Sequence, residues 1–260
     1  MGWQSYTPGD AHTVVGDVRV LRAVPAPQLE GERDLFAYLP PSHGSGRRFP
    51  VILMHDGLNL FDEGTSNNGE WRVDETMEEL AQERTEAIVV GIPHGPDRGA
   101  EYAGAKSEPY LAFLVGTVLP LVRDSFDTDR RRDATGLAGS SLGGVISLHG
   151  LYAHPEAFGF AGVFSPAFWF NDDAVFKMVE RDPAPAARIY IDVGDREDAD
   201  EGVRRDYLGG FERMTSLLRS KGYGDDGLLA VLDEGGIHHE TAWSTRLPAA
   251  LRFLLRPARR

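Results

Sequence analysis

The pattern of hydrophobic and polar positions divides most of the chain into short apolar runs and longer amphipathic runs. Short apolar runs that end in polar turns are typical of buried strands, whereas apolar residues three or four apart predict helices. The predicted strands are residues 13–24, 34–40, 49–57, 86–92, 131–139, 158–166, 187–195 and 227–236. The predicted helices are residues 71–84, 108–126, 141–154, 202–222 and 241–255, and Pro120 is expected to kink the second of them.

Strands that alternate with helices predict an α/β fold, with a mostly parallel, twisted sheet of about eight strands and helices on both faces. The chain has 260 residues and neither a repeat nor a linker, so we expect one domain over residues 1–260. Sites on such sheets lie beyond the carboxyl ends of the strands. The polar turns that follow the predicted strands should therefore meet in one region.

Composition narrows the classes of partner and chemistry. The formal net charge of −13 argues against nucleic acid or an anionic membrane as a partner. The absence of cysteine excludes disulfides, thiolate metal sites and a cysteine nucleophile. No signal peptide or apolar segment of about 18 residues is recognisable, so we expect a cytoplasmic protein. Composition leaves open whether it is a monomer or a homo-oligomer.

One stretch, "GLAGSSLGG" at residues 136–144, has the pattern G-x-S-x-G of a nucleophile elbow. The pattern fits only with Ser141 at its centre, because Ser140 would place Ala138 and Leu142 where glycines are required. Glycine and serine are also common in ordinary loops, so the pattern alone is weak. Its context strengthens it, because a predicted strand precedes it, a predicted helix follows, and an acid and a histidine come later, each after a strand.

Several longer segments resemble one family. "FPVILMHDGLNLF", "EWRVDETMEEL", "FGFAGVFSPAFWF", "YIDVGDRED" and "GGIHHETAWSTRLPAALRFL" look like the esterase D/enterochelin-esterase-like family of α/β-hydrolases, in the expected order. The resemblance covers roughly residues 30–255 and leaves residues 1–30 as an N-terminal strand region. It implies a serine hydrolase, commonly an esterase, that needs no cofactor and acts on a small-molecule ester.

The resemblance also implies which residues react. Ser141 matches the nucleophile, Glu197 matches the acid three positions after Gly194, and His238 matches the base five positions before Trp243. Asp195 and Asp198 are alternative acids, and His239 has a simpler role available as a cap of the last helix. The backbone N–H groups of Leu58 and Leu142 are the expected oxyanion donors.

Side chains after the strand ends are candidates to bind substrate. They are His55, Asp56, Trp71, Arg98, Tyr102, Phe168, Trp169 and Phe170. At least one of the last three should be buried simply as core. His55 and Asp56 more readily shape the oxyanion loop than bind a metal, because no histidine here has the spacing of a known metal motif. We expect no metal.

The prediction from sequence is therefore a serine carboxylesterase with acylated carbohydrates, or small acyl and aryl esters, as candidate substrates. An acyltransferase and a siderophore esterase are alternatives on the same scaffold. A non-catalytic binding protein of the same fold is the alternative from another class.

Overall fold

Nine strands of the described chain form one sheet in the order β1-β2-β3-β5-β4-β6-β7-β8-β9. The computed structural model describes residues 2–7, 9, 12–170 and 173–256. The strands are β1 Gln4–Ser5, β2 Asp17–Pro25, β3 Glu32–Leu39, β4 Val51–His55, β5 Ile88–Ile92, β6 Thr135–Ser140, β7 Phe160–Phe164, β8 Arg188–Gly194 and β9 Leu228–Asp233. The pairs β1–β2, β2–β3 and β3–β5 are antiparallel. All pairs among β4 through β9 are parallel, with β4 between β5 and β6. A mostly parallel sheet confirms the predicted α/β class.

Eight α-helices connect or follow these strands within the described ranges. They are α1 Val73–Ala81, α2 Arg98–Ala103, α3 Ser107–Phe113, α4 Leu119–Ser125, α5 Leu142–Ala153, α6 Ala174–Arg181, α7 Glu201–Ser220 and α8 Glu240–Leu254. The prediction missed α2 and α6, which are too short, at six and eight residues, for a clear helical period. None of the helices described has the length and apolar character needed to span a lipid bilayer.

The helical stretch before the elbow changes its hydrogen-bond pattern next to Pro120. A π-helical turn, Leu114–Val118, separates α3 from α4, and Pro120 occupies the start of α4. Proline has no N–H to donate inside a helix, so a change of hydrogen-bond pattern at this point is expected. The interruption falls where the sequence predicted a kink.

Two apolar cores lie on opposite faces of the sheet. Along β4, Val51 and Leu53 join one core and Ile52 and Met54 join the other, because successive strand residues point to opposite faces. α1 and α8 cover the second core, and α2 through α7 contribute to the first. Both faces of the central strands are therefore buried, which explains their continuous apolar sequences. The carboxyl ends of β4, β6, β7 and β8 lie side by side at one edge.

Candidate active site

The turn between β6 and α5 holds Ser141 in a backbone conformation that side chains rarely adopt. Its φ is 57° and its ψ is −122°. The Ser141 N–H donates to the carbonyl of Phe164 at 2.9 Å, which ties the turn to the end of β7. Strained conformations of this kind persist only where the surroundings hold them, and they cluster at functional sites.

Gly139 allows α5 to pack closely against β6. A Cβ at Gly139 would lie 2.9 Å from the backbone carbon of Gly143 and 3.0 Å from the ring of His55. Gly143, the second glycine of the motif, is less restricted, because a Cβ there would meet its nearest atoms at 3.4 Å. The requirement for glycine is therefore stricter at Gly139 than at Gly143.

His238 and Glu197 are hydrogen-bonded partners. His238 Nδ1 lies 2.8 Å from Glu197 Oε2, and the Glu197 side chain has no exposed surface. Glu197 Oε1 accepts hydrogen bonds from the Gly194 N–H and the Ser165 hydroxyl, each at 2.5 Å. Because these two donors hold Oε1, Glu197 presents Oε2 to the imidazole of His238 in a fixed orientation.

The other acids and the neighbouring histidine have different partners. Asp195 accepts a hydrogen bond from the Gly235 N–H at 2.6 Å, and Asp198 accepts one from the Asp200 N–H at 2.8 Å. His239 accepts from the Thr241 N–H at 3.2 Å and so caps α8, although it also borders the pocket. Among the three candidate acids, Glu197 has the hydrogen bond to His238.

Behind Glu197, the buried Ser165 hydroxyl links two strands to α8. Besides donating to Glu197, the Ser165 oxygen accepts from Trp243 Nε1 at 2.9 Å and from Arg246 Nη2 at 3.0 Å. The Trp243 ring also contacts the His238 ring edge-on, with centroids 4.9 Å apart. The spacing between histidine and tryptophan in the sequence therefore corresponds to direct contacts. Sequence analysis assigned no role to Ser165.

The turn after β4 faces the elbow and carries an ion pair. Arg98 donates from Nε and Nη2 to the two carboxylate oxygens of Asp56, at 2.8 and 2.7 Å. Arg98 Nη2 also lies 3.3 Å from the Ser140 carbonyl oxygen. Leu58 lies in the short 3₁₀ turn that follows Asp56, and Leu142 is the first residue of α5. N–H groups in the first turn of a helix have no acceptor within that helix.

His55 and Tyr102, two candidates for substrate binding, do not line the cavity beside Ser141. His55 Nδ1 is 2.8 Å from the Tyr110 hydroxyl, and the Asp56 N–H donates to the Tyr102 hydroxyl at 3.1 Å. His55 and Tyr102 are both buried. Burial lowers the pKa of His55 to about 3, so the ring is neutral. Through these hydrogen bonds, Tyr110 and Tyr102 contact the two residues at which β4 passes into the turn.

A cavity of about 490 Å³ opens beside Ser141. Polar and apolar surface contribute about equally to its lining, which consists of Asp56, Leu58, Asn59, Asn67, Asn68, Trp71, Pro93, His94, Arg98, Ser140, Ser141, His238, His239, Glu240 and Trp243. Trp71 reaches the cavity although it is only 2% exposed. This cavity brings together the candidates Ser141, His238, Asp56, Trp71 and Arg98.

The aromatic triplet after β7 divides between core and surface. Phe168 is 2% exposed and packs against Phe176, so this side chain belongs to the core. Trp169 and Phe170 are 37% and 49% exposed and do not border the cavity. Trp169 instead contacts Tyr207 of α7, with ring centroids 4.2 Å apart.

Tyr207 is a residue of the site that sequence analysis missed. Its hydroxyl lies 3.3 Å from His238 Nε2, and the two rings are 4.8 Å apart. Burial raises the pKa of Tyr207 above its usual value, and the nearby Ser141 side chain opposes that rise. A tyrosine in the middle of an amphipathic helix belongs to no motif, so the sequence carried no signal for it.

Three carboxylates elsewhere lie close enough to share a cation. Oxygen atoms of Glu70, Asp74 and Glu75 lie within 4.8 Å of one another at the start of α1. None of the three borders the cavity beside Ser141. Burial raises the pKa of Asp74 to about 8, so protonation also relieves the repulsion in this group.

Two proteins of related sequence and one solved structure are among those similar to this chain. YbbA, an uncharacterized protein of Bacillus subtilis (strain 168), is 25% identical over 242 residues, or 86% of this chain and 93% of YbbA. An endo-1,4-beta-xylanase/feruloyl esterase of Xylanibacter ruminicola is 21% identical over 215 residues, which are 79% of this chain and 27% of that protein. The solved structure of the siderophore hydrolase EstA from Aspergillus nidulans has a TM-score of 0.72 at 17% identity and covers 98% of both chains.

The likeness to EstA shows a shared α/β-hydrolase fold. Residues 26–254 match the model of the esterase family described as "Putative esterase". Since this match spans most of the chain, the protein belongs to that family, whose members are hydrolases that act on esters.

Proposed function

We propose that the protein is a serine carboxylesterase in which Ser141 is the nucleophile, His238 the general base and Glu197 the acid that orients it. The observation that carries the proposal is the 2.8 Å hydrogen bond between His238 Nδ1 and the buried Glu197, with Ser141 and His238 bordering one cavity. A serine hydroxyl is a poor nucleophile at neutral pH and needs such a base.

The first half-reaction acylates Ser141. With its Nδ1 proton directed to Glu197, His238 keeps a free electron pair on Nε2 that accepts the proton of the serine. Ser141 Oγ attacks the ester carbonyl as this proton leaves. His238 then gives the proton to the departing alcohol, and Glu197 stabilises the transient imidazolium.

The oxyanion of the tetrahedral intermediate is stabilised by the N–H groups of Leu58 and Leu142. Leu58 is the second residue of the 3₁₀ turn Gly57–Asn59, and Leu142 is the first residue of α5. A single donor of this kind contributes about 3 kcal/mol to the transition state. The ion pair between Arg98 and Asp56 and the buried His55 and Tyr110 hold the turn that carries Leu58.

The second half-reaction hydrolyses the acyl-enzyme with a water that His238 activates. The lining of the cavity supports an ester with a hydroxylated part, because Asn59, Asn67 and Asn68 offer amide donors and acceptors. One relative is named a feruloyl esterase, which is consistent with an acylated carbohydrate as substrate.

A siderophore ester is the second candidate, because the similar structure of EstA is that of a siderophore hydrolase. Two observations favour neutral esters over an anionic siderophore. The charge of Arg98, the cation bordering Ser141, is already balanced by Asp56, and the chain has a net charge of −13. Repulsion by this field lowers the local concentration of an anionic substrate.

The test is a hydrolysis panel of p-nitrophenyl acyl esters, feruloyl and acetyl sugars, and a catecholate siderophore ester. We expect wild-type activity to disappear in Ser141→Ala and to survive in the matched control Ser140→Ala. Equal losses in the two variants would contradict the assignment of the nucleophile. Product analysis with an added alcohol separates hydrolysis from acyl transfer, since a transferase forms the new ester in preference to the free acid.

A further inference from the structure

Exposed apolar side chains gather in the segments that carry the proposed catalytic residues. Among the residues that the structure describes, six large apolar side chains are exposed, and four of them belong to these segments. Leu58 borders the cavity, and Ile237 directly precedes His238. Trp169 and Phe170 follow β7. A single exposed apolar side chain is ordinary, whereas a group of them beside a site marks a surface for a ligand. The cavity accounts for Leu58 alone.

The segment after β7 passes directly beside the proposed nucleophile. The Ala167 N–H donates to the Ser141 carbonyl at 3.4 Å. Phe168, the next residue, is buried and lies against α7, since a Cβ at Gly210 would be 3.4 Å from the Cβ of Phe168. These two contacts hold Trp169 next to the site, while part of its side chain stays exposed.

Two ring contacts join Trp169 to the proposed base. Trp169 packs on Tyr207 in a T-shaped arrangement with centroids 4.2 Å apart, and Tyr207 packs on the His238 ring at 4.8 Å. The Tyr207 hydroxyl lies 3.3 Å from His238 Nε2. Because His238 Nδ1 faces the carboxylate of Glu197, which can only accept, Nδ1 carries the proton and Nε2 is an acceptor. The Tyr207 O–H therefore donates to Nε2 and marks the side from which a partner reaches this nitrogen.

The alcohol that leaves during acylation needs the same nitrogen. In the proposed mechanism, His238 Nε2 gives a proton to the alcohol oxygen as the ester bond breaks. This oxygen must come within hydrogen-bond reach of Nε2, beside the hydroxyl of Tyr207. The substituent that the oxygen carries then extends along Tyr207 toward the exposed ring of Trp169. The cavity is left for the acyl group.

Resting on the proposed function, we infer that Trp169 and Phe170 form a binding surface for the alcohol part of the ester. Exposed aromatic rings offer a flat apolar surface, which suits an alcohol that is itself a ring with an apolar face, such as a pyranose. In an acylated carbohydrate the sugar is the alcohol, so the sugar lies on this surface and the acyl group lies in the cavity. Trp169 thereby determines specificity for the alcohol.

The test keeps the acyl group constant as acetyl and varies the alcohol, in Trp169→Ala and in the matched control Trp3→Ala. Trp3 is a partly buried tryptophan that packs on Phe126 at 5.1 Å and does not border the cavity. We expect Trp169→Ala to lower kcat/KM about 10-fold for an acetylated methyl glucoside and to leave ethyl acetate unchanged, because ethanol has no ring to bind the indole. Trp3→Ala should change neither value. Equal losses for both esters, or no loss for either, would overturn the proposal.

A second series keeps ethanol as the alcohol and changes the acyl group from acetyl to feruloyl. If the acyl group lies in the cavity, Trp169→Ala should leave kcat/KM unchanged for both ethyl acetate and ethyl ferulate. A loss for ethyl ferulate alone would put the acyl group on Trp169 and overturn the assignment.

Deacylation supplies a readout that separates binding of the alcohol from a disturbance of His238. The alcohol has left before water attacks the acyl-enzyme, so the deacylation rate after a burst with p-nitrophenyl acetate should be the same in Trp169→Ala and the wild type. Slower deacylation in the variant would contradict the binding role. Hydrolysis that persists in Ser141→Ala refutes the proposed function itself, whereas hydrolysis that needs Ser141 but is indifferent to Trp169 refutes only this surface.

Discussion

Ser165 shows how much of this site depends on one buried hydroxyl outside the cavity. Its oxygen binds Trp243 and Arg246 while its proton goes to Glu197. Its φ of 40° is unusual for a residue other than glycine, so the backbone is held where the hydroxyl can reach all three. We assign it to the positioning of Glu197 and, through Glu197, of His238.

Removal of this hydroxyl should therefore affect turnover more than binding. In Ser165→Ala, Glu197 loses a hydrogen bond and two buried donors lose their acceptor, so we expect kcat to fall about tenfold with KM nearly unchanged. Unfolding in urea should show a loss of about 1–3 kcal/mol. Ser107→Ala is the control, because the Ser107 hydroxyl is buried without a hydrogen-bond partner among the described residues. Equal effects in Ser165→Ala and Ser107→Ala would contradict the positioning role of Ser165.

At the scale of elements, the junction of β6 with α5 depends on the close approach that Gly139 allows. We expect Gly139→Ala to lower the free energy of unfolding by about 1–3 kcal/mol, because its methyl group would overlap the backbone of Gly143. Gly209→Ala is the matched control, since no described residue places an atom within 4 Å of a Cβ there. Gly209 is an exposed position in α7, where alanine should stabilise by about 0.5–1 kcal/mol. Chemical denaturation of both variants decides, and a neutral Gly139→Ala would contradict the steric account.

The elements differ in how well the sequence predicted them. β4 through β9 are clear apolar runs and the long helices have a clear period, so their existence was predicted and their bounds shifted by a few residues. α2 and α6 are short, and their helical form depends on packing against distant parts of the chain. Tyr207 was not predicted for the same reason. Its distance to His238 is set by the packing of α7 against β8 and β9, which the local sequence pattern does not specify.

For the whole molecule, the parallel sheet with two cores followed from the alternation of elements, whereas the strand order did not. β3 pairs antiparallel with β5, and β4 lies between β5 and β6. Such pairings join residues far apart in sequence, which a hydrophobic pattern does not specify. The site was more predictable than its surroundings, because the strand ends meet at one edge in any sheet of this kind.

Stability of the whole chain should depend on pH through Asp74. Its Oδ2 accepts the Val15 N–H at 2.7 Å, and burial raises its pKa from 3.8 to about 8. Between these values the folded chain holds a proton that the unfolded chain releases, so the free energy of unfolding falls as pH rises from about 4 to about 8. Asp74→Asn keeps an acceptor for Val15 without needing the proton, so the variant should lose less stability over that window. Urea unfolding at pH 5 and pH 8 measures this, with Glu79→Gln, at an exposed carboxylate of α1, as control.

The central claim is that Ser141 is the nucleophile of an esterase, and labelling with a fluorophosphonate followed by peptide mass spectrometry tests it most directly. We predict one adduct per chain, located on Ser141, formed at a rate that His238→Ala reduces strongly and His239→Ala only mildly. An adduct on Ser140, or labelling that persists in Ser141→Ala, would contradict it.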